Sequence, residues 1–130
     1  MDEPVRITDH GDGTLEVSLY GDIDFANSPS VREAIRAAVA DATPPAIRVD
    51  LGAVTFLDSS GIAVLVIAHR LASSAGARFA VTNPSAAVYE HLRLTGLADL
   101  FGVERPAPAD GQPQGADAGG TDRPAPPAAR

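Results

Sequence analysis

The sequence predicts an α/β domain in which strands and helices alternate, and three observations carry that expectation. Leu15, Val17 and Leu19 alternate with Glu16, Ser18 and Tyr20 at a period of two. Val31, Ala34, Ile35, Ala38 and Val39 recur at helical spacing. These two patterns then change places repeatedly, as they do when helical crossovers join the strands of one sheet.

Taken in order, residues 5–8 and 15–20 read as strands joined by Asp9-His10-Gly11-Asp12-Gly13, whose Gly and Asp content suits a hairpin. Asn27 or Ser28 is expected to cap the first helix, with Pro29 in its first turn. Pro44-Pro45 ends that connection, and residues 46–51 form a short strand in which Ile47, Val49 and Leu51 alternate with Arg48 and Asp50. A second helix is expected over residues 61–74. It is apolar on nearly every side (Ile62, Val64, Leu65, Val66, Ile67, Leu71), with Ala63 and Ala68 moderating the outer side and Gly76 as its stop. Such a helix is either deeply buried or carries a ridge for a partner. Residues 78–81 read as a strand, Asn83-Pro84 opens a third helix that Gly96 ends, and residues 97–103 form a short closing element.

At 130 residues the chain has room for one domain. The aliphatic content that could build a core stops near Glu104. Residues 1–104 are therefore expected to form the domain, and residues 105–130, rich in Pro, Ala and Gly, a disordered tail.

Charge and composition exclude several function classes. A formal charge of −7, no Lys and scattered Arg speak against a nucleic-acid partner, which needs clustered cations. Without Cys there are no disulfides, thiolate metal sites or Cys nucleophiles. The acidic start has no signal-peptide layout, and the apolar run at residues 62–68 is far short of the ~20 residues that span a bilayer. A soluble, cytoplasmic protein with no membrane partner is expected.

Catalysis finds little to work with. A hydrolase would need Ser59 or Ser60 beside His10, His69 or His91. On the expected helix His69 lies about 15 Å along the axis from Ser59. The glycine two positions before the serine that a nucleophile elbow requires is missing. Walker and dinucleotide loops and paired-His metal spacing are absent, and Gly11-Asp12-Gly13 reads as a turn. The chain is expected not to be an enzyme and to need no metal or cofactor.

Asp58-Ser59-Ser60-Gly61 is the informative segment, because it follows a strand and opens a helix. Asp and Ser are preferred helix caps. A hydroxyl at a helix N-terminus is also a favourable place for a phosphate, whose charge the dipole tolerates and whose oxygens the backbone amides can satisfy. A capping role and modification are compatible. Gly21-Asp22-Ile23-Asp24, expected between the second strand and the first helix, is either a plain turn or a source of negative charge beside Ser59. In the second case a phosphate would repel a partner that accepts the unmodified face.

These segments together resemble the bacterial anti-sigma factor antagonists. The likeness rests on Gly21-Asp22-Ile23-Asp24, Val49-Asp50-Leu51 and Thr55-Phe56-Leu57-Asp58-Ser59-Ser60-Gly61-Ile62, with Asn83-Pro84-Ser85-Ala86-Ala87-Val88 and Leu94-Thr95-Gly96-Leu97 following in order. It covers residues 5–103. The resemblance implies the STAS fold, a mixed sheet with helices packed largely on one side. It also implies a partner-switching function: the unphosphorylated protein binds an anti-sigma factor that is itself a serine kinase, and so frees a sigma factor. The kinase inactivates it by phosphorylating Ser59, with Ser60 the less favoured acceptor, and a PP2C-type phosphatase restores it.

The residues so implied for partner binding are Asp22, Asp24, Asp58, Ser59, Ser60, Gly61 and Ile62; a monomer is the default expectation for the free protein. Ile62-Ala63 replaces the leucine-glycine of many relatives, and the tail has no counterpart in the family pattern. The alternative is an adaptor STAS module in a signalling or transporter assembly, where Ser59 is only a helix cap.

Overall fold

The computed structural model describes residues 3–103, and the expectation of a disordered tail falls on residues outside that range. Four strands and four helices follow one another as β1 (Val5–Asp9), β2 (Thr14–Ile23), α1 (Ser28–Ala42), β3 (Ala46–Leu57), α2 (Ser59–Ser74), β4 (Arg78–Thr82), α3 (Ala86–Leu94) and α4 (Leu97–Leu100). The strands form one sheet in the order β1-β2-β3-β4. The hairpin makes β1 and β2 antiparallel. The crossovers α1 and α2 make β2, β3 and β4 parallel, the geometry that a connection of helical length imposes.

The hairpin closes through backbone amides bound to carboxylates: Gly11 N–H donates to Asp9 Oδ1 and Thr14 N–H to Asp12 Oδ1, each at 2.9 Å. Asx turns of this kind explain why Asp and Gly cluster there.

One sheet face is covered. α1 lies over β1 and β2, α2 touches β3 and β4, and the two helices pack against each other. Leu15, Val17 and Leu19 of β2, Ile47, Val49 and Leu51 of β3 and Val81 of β4 meet Val31, Ile35 and Val39 of α1 and Val64, Leu65 and Ala68 of α2 in a single core. Burying each Val, Leu or Ile side chain among them contributes about 1.5–3 kcal/mol. Phe101, just past α4, is fully buried, and its carbonyl accepts from Val81 N–H, so the closing segment covers part of the outer edge of β4. The opposite face carries polar and charged groups: Glu16 accepts from Arg48 Nη2 at 3.2 Å and pairs with His10, and Arg6 sits over the Tyr20 ring.

Several boundaries differ from expectation, each for a local reason. β2 runs on to Ile23 and β3 to Leu57, so Asp22 belongs to a strand and not to a turn. The longer pairing survives because β3 carries extra residues: Ser18 faces Asp50 but Tyr20 faces Ala53, and Gly21 faces Val54 but Asp22 faces Phe56. Such bulges break the period of two, which hid the second half of β3 from sequence periodicity. α2 starts at Ser59, not Gly61. α3 starts at Ala86, where Ser85 Oγ accepts from Val88 N–H at 3.1 Å, because Asn83 takes a left-handed φ of 58° and cannot begin a helix. Ala68 is fully buried, so it does not moderate the outer side of α2, whereas Ala63 is exposed.

Candidate functional site

The candidate site lies where β2 and β3 end and α2 begins. Phe56 and Leu57 of β3 stand beside Asp22 and Ile23 of β2 in the ladder. Asp58 N–H then donates to the Ile23 carbonyl at 3.3 Å, extending the strand pairing by one residue before the chain turns into α2.

Gly61 explains how the helix can start so close to the sheet. A Cβ at that position would lie 2.5 Å from Leu57 Cδ1 and 2.9 Å from the Ile23 carbonyl oxygen. Only a residue without a side chain fits, because the backbone oxygen cannot step aside. Gly61 is buried, so its part at the site is that of a spacer and not of a surface contact.

Asp58 is the N-cap of α2. Its Oδ1 accepts from Ser60 N–H at 2.8 Å and from Gly61 N–H at 3.1 Å, while its backbone carbonyl accepts from Ile62 N–H at 2.9 Å. This corrects one expectation. The amides that were to satisfy a phosphate on Ser59 are already occupied by the neighbouring carboxylate. Ser59 itself is exposed, and among the described residues its hydroxyl has no hydrogen-bond partner. Ser60 is half-buried.

The two other carboxylates are held in different ways. Asp22 is exposed on β2 and accepts from Thr55 Oγ1 at 2.6 Å. Asp24 turns inward: its Oδ1 accepts from Ala26 N–H at 2.9 Å and Asn27 N–H at 3.2 Å, which shapes the entry to α1. Asn27 occupies the N-cap position but does not cap with its side chain. Its Oδ1 accepts from Asp24 N–H and its Nδ2 donates to the Asp22 carbonyl, so it ties the turn to the end of β2. Neither Asn27 nor Ser28 supplies a side-chain cap to α1. The structure therefore brings Asp22, Asp24, Asp58, Ser59, Ser60, Gly61 and Ile62 to one end of the sheet.

Sequence reasoning missed two aromatics at this end. Phe25, in the turn after Asp24, is 72% exposed, and Phe56, beside Asp22, is 52% exposed. Both rings stand at the end of the sheet that carries Asp22, Asp24 and Asp58. The chain carried little signal for them: Phe25 stands in an otherwise small and polar turn, and Phe56 keeps the period of two with Val54 that elsewhere marks a buried strand face. On α2 itself, Ile62, Val66, Ile67 and Leu71 are half-buried, while Val64, Leu65, Ala68 and Ala72 are buried.

None of the three histidines belongs to the site. His10 is in the hairpin with Glu16, His91 is exposed on α3, and half-buried His69 packs against the rings of Phe79 and Phe101 with centroids 5.4 and 5.9 Å away. Among the described residues there is no acidic, His or Cys group able to hold a metal ion. Nor is any described helix long and apolar enough to cross a membrane.

A family model described as the STAS domain matches residues 6–108. The chain belongs to the STAS-domain family. Its relatives include the anti-sigma-F factor antagonist RsfB of Mycobacterium tuberculosis, 33% identical over 98 residues that cover 75% of this chain and 77% of that protein. Among solved structures, an anti-sigma factor antagonist from Mycobacterium paratuberculosis aligns with a TM-score of 0.69 and 36% identity, covering 79% of this chain and 85% of that one. The Bacillus cell fate determinant SpoIIAA in its phosphorylated form shares the fold at a TM-score of 0.63 and 19% identity, over 79% and 91% of the two chains. The STAS fold expected from the motifs is thus the fold observed, with its helices over one face of a mixed sheet.

Proposed function

We propose that this STAS protein is an anti-anti-sigma switch. Unphosphorylated, it binds an anti-sigma factor serine kinase through the end of the sheet around Ser59, and so frees a sigma factor. Phosphorylation of Ser59 ends that binding, and a PP2C-type phosphatase reverses it.

The observation that carries this reading is the placing of Ser59: an exposed hydroxyl with no partner among the described residues, at the start of a capped helix, at the same end of the sheet as Asp22 and two exposed aromatics. An apolar contact centre with a carboxylate rim suits a partner face that is apolar in the middle and basic at its edge. The names of the relatives support the role, and the half-buried position of Ser60 favours Ser59 as acceptor. The reaction takes the γ-phosphoryl group from the partner's ATP to Ser59 Oγ, with ADP leaving and the hydroxyl proton lost. This protein contributes only the hydroxyl. The dianion then adds to the charge of Asp22 and Asp58 at the same end of the sheet, where it opposes the docking of a partner fitted to a neutral serine.

Full-length wild type, Ser59→Ala and Ser59→Asp, used as baits in host lysate with the retained proteins identified by mass spectrometry, test the proposal. Wild type and Ser59→Ala should both retain an anti-sigma kinase, and Ser59→Asp should retain much less. Equal retention of the same partners by all three would overturn the switch and leave Ser59 as a surface residue of an adaptor.

A further inference from the structure

The arrangement of Asp58 has a consequence for the phosphorylated state. In a helix that opens with a serine, the first amides are free to fold around a phosphate on that serine, dispersing its charge. Here the N–H groups of Ser60 and Gly61 both point at Asp58 Oδ1, and that of Ile62 is taken by the Asp58 carbonyl. A phosphate on Ser59 is left with the amide of Ser59 itself.

Two anions thus compete for one set of donors, and the carboxylate has the advantage of a fixed geometry inside the turn. Its position is braced from below. Asp58 N–H is bonded to the Ile23 carbonyl, and Gly61 is buried close enough to that carbonyl and to Leu57 that a Cβ there would clash with both.

We infer that Asp58 is a positioning residue for the phosphorylated state: by occupying the amides of Ser60 and Gly61 it keeps a phosphate on Ser59 from folding back onto the helix, so that its charge faces outward. This deepens the proposed switch, because an outward dianion beside a carboxylate opposes a partner more strongly than one neutralised by backbone amides.

The test leaves the kinase out, so that its outcome is independent of whether the partner has been identified correctly. Phosphoserine is installed at position 59 of the full chain during translation, in the wild type and in Asp58→Asn and Asp58→Gly. Asparagine retains an oxygen cap without the charge, whereas glycine tolerates the cap position and frees the amides. The phosphate is titrated by phosphorus NMR, and the amide signals of Ser60 and Gly61 are followed over the same pH range.

In the wild type the phosphate should titrate at or above its ordinary second pKa of about 6, with those two amides indifferent to its ionisation. In Asp58→Gly it should titrate at least about 0.5 pH lower than in Asp58→Asn, with both amides moving strongly as the dianion forms. Should Asp58→Asn and Asp58→Gly titrate together, removal of charge accounts for everything and the inference fails. Strong movement of the Ser60 and Gly61 amides in the wild type would overturn it without any variant, since the phosphate would then already hold them.

Discussion

The helices α1 and α2 are nearly equal in length, at 15 and 16 residues, and lie side by side on the same face of the sheet, yet they are built differently. α1 buries Val31, Ile35 and Val39 at a spacing of four and leaves Arg32, Glu33 and Arg36 in water, with Glu33 and Arg36 paired. α2 buries Val64, Leu65, Ala68 and Ala72 yet still carries Ile62, Val66, Ile67 and Leu71 half in water. α1 has no side-chain cap, whereas Asp58 holds two amides of α2. A helix that only supports the sheet needs one apolar stripe. α2 has a second, partly buried apolar flank, of which Ile62, Val66 and Leu71 also pack against the core, and in the proposed switch its capped first turn presents Ser59.

That contrast can be broken most severely in α1. Ile35→Ala should cost about 2–5 kcal/mol in urea unfolding, while the affinity of the folded fraction for the proposed anti-sigma partner stays unchanged. A specific loss of affinity would mean that α1 belongs to the interface.

Gly61→Ala should come next, at about 1–3 kcal/mol. Alanine is the better helix former by about 1 kcal/mol, but its Cβ would meet the Ile23 carbonyl at 2.9 Å, and the clash wins. A gain in stability in the same unfolding assay would show that the first turn of α2 can shift. The structural and functional ends of α2 would then not be separate.

Phe56→Ser should sharpen the contrast from the other side. Stability should change by no more than about 0.5 kcal/mol, while calorimetric titration against the partner shows affinity falling about tenfold or more. The opposite pattern would make Phe56 a support of the sheet and not a contact.

The smallest effect is expected on the uncovered face of the sheet, remote from both helices. Hydrogen bonds from His10 and Arg48 hold the Glu16 carboxyl below its ordinary value of 4.5. A carboxyl lowered by folding stabilises the native state above its unfolded pKa, and the contribution is lost as pH falls through the folded one. Glu16→Gln should therefore cost about 0.5–1 kcal/mol near neutrality, with the difference from wild type closing as pH drops below about 4.5. A gap that persisted at pH 3 would show that shape rather than charge makes Glu16 useful.

Much of this was legible in the chain. Helical spacing in residues 31–39 and alternation in residues 15–19 reported true burial, because the facing sheet and helix surfaces each bury one side. The Asp58-Ser59-Ser60-Gly61 motif was legible as a helix start, since capping is a local matter of residue type. The second half of β3 was not, because bulges opposite Tyr20 and Asp22 remove the period on which the reading depends. Phe25 and Phe56 were passed over for a related reason: exposure is a property of the surface around a residue and not of its own chemistry.

By itself the sequence determined the alternation of elements, the absence of thiol chemistry and the segments that resemble anti-sigma factor antagonists, all of which depend on residue type and local spacing. Only the tertiary structure decided which groups meet. The parallel pairing of β2 with β3 sets Asp22 beside Phe56, the close seat of Gly61 on the Ile23 carbonyl brings Ser59 to the same end, and Asp58 takes the amides that a phosphate would otherwise claim. Residues more than thirty positions apart in the chain are placed by the register of a sheet, and no local pattern encodes that register.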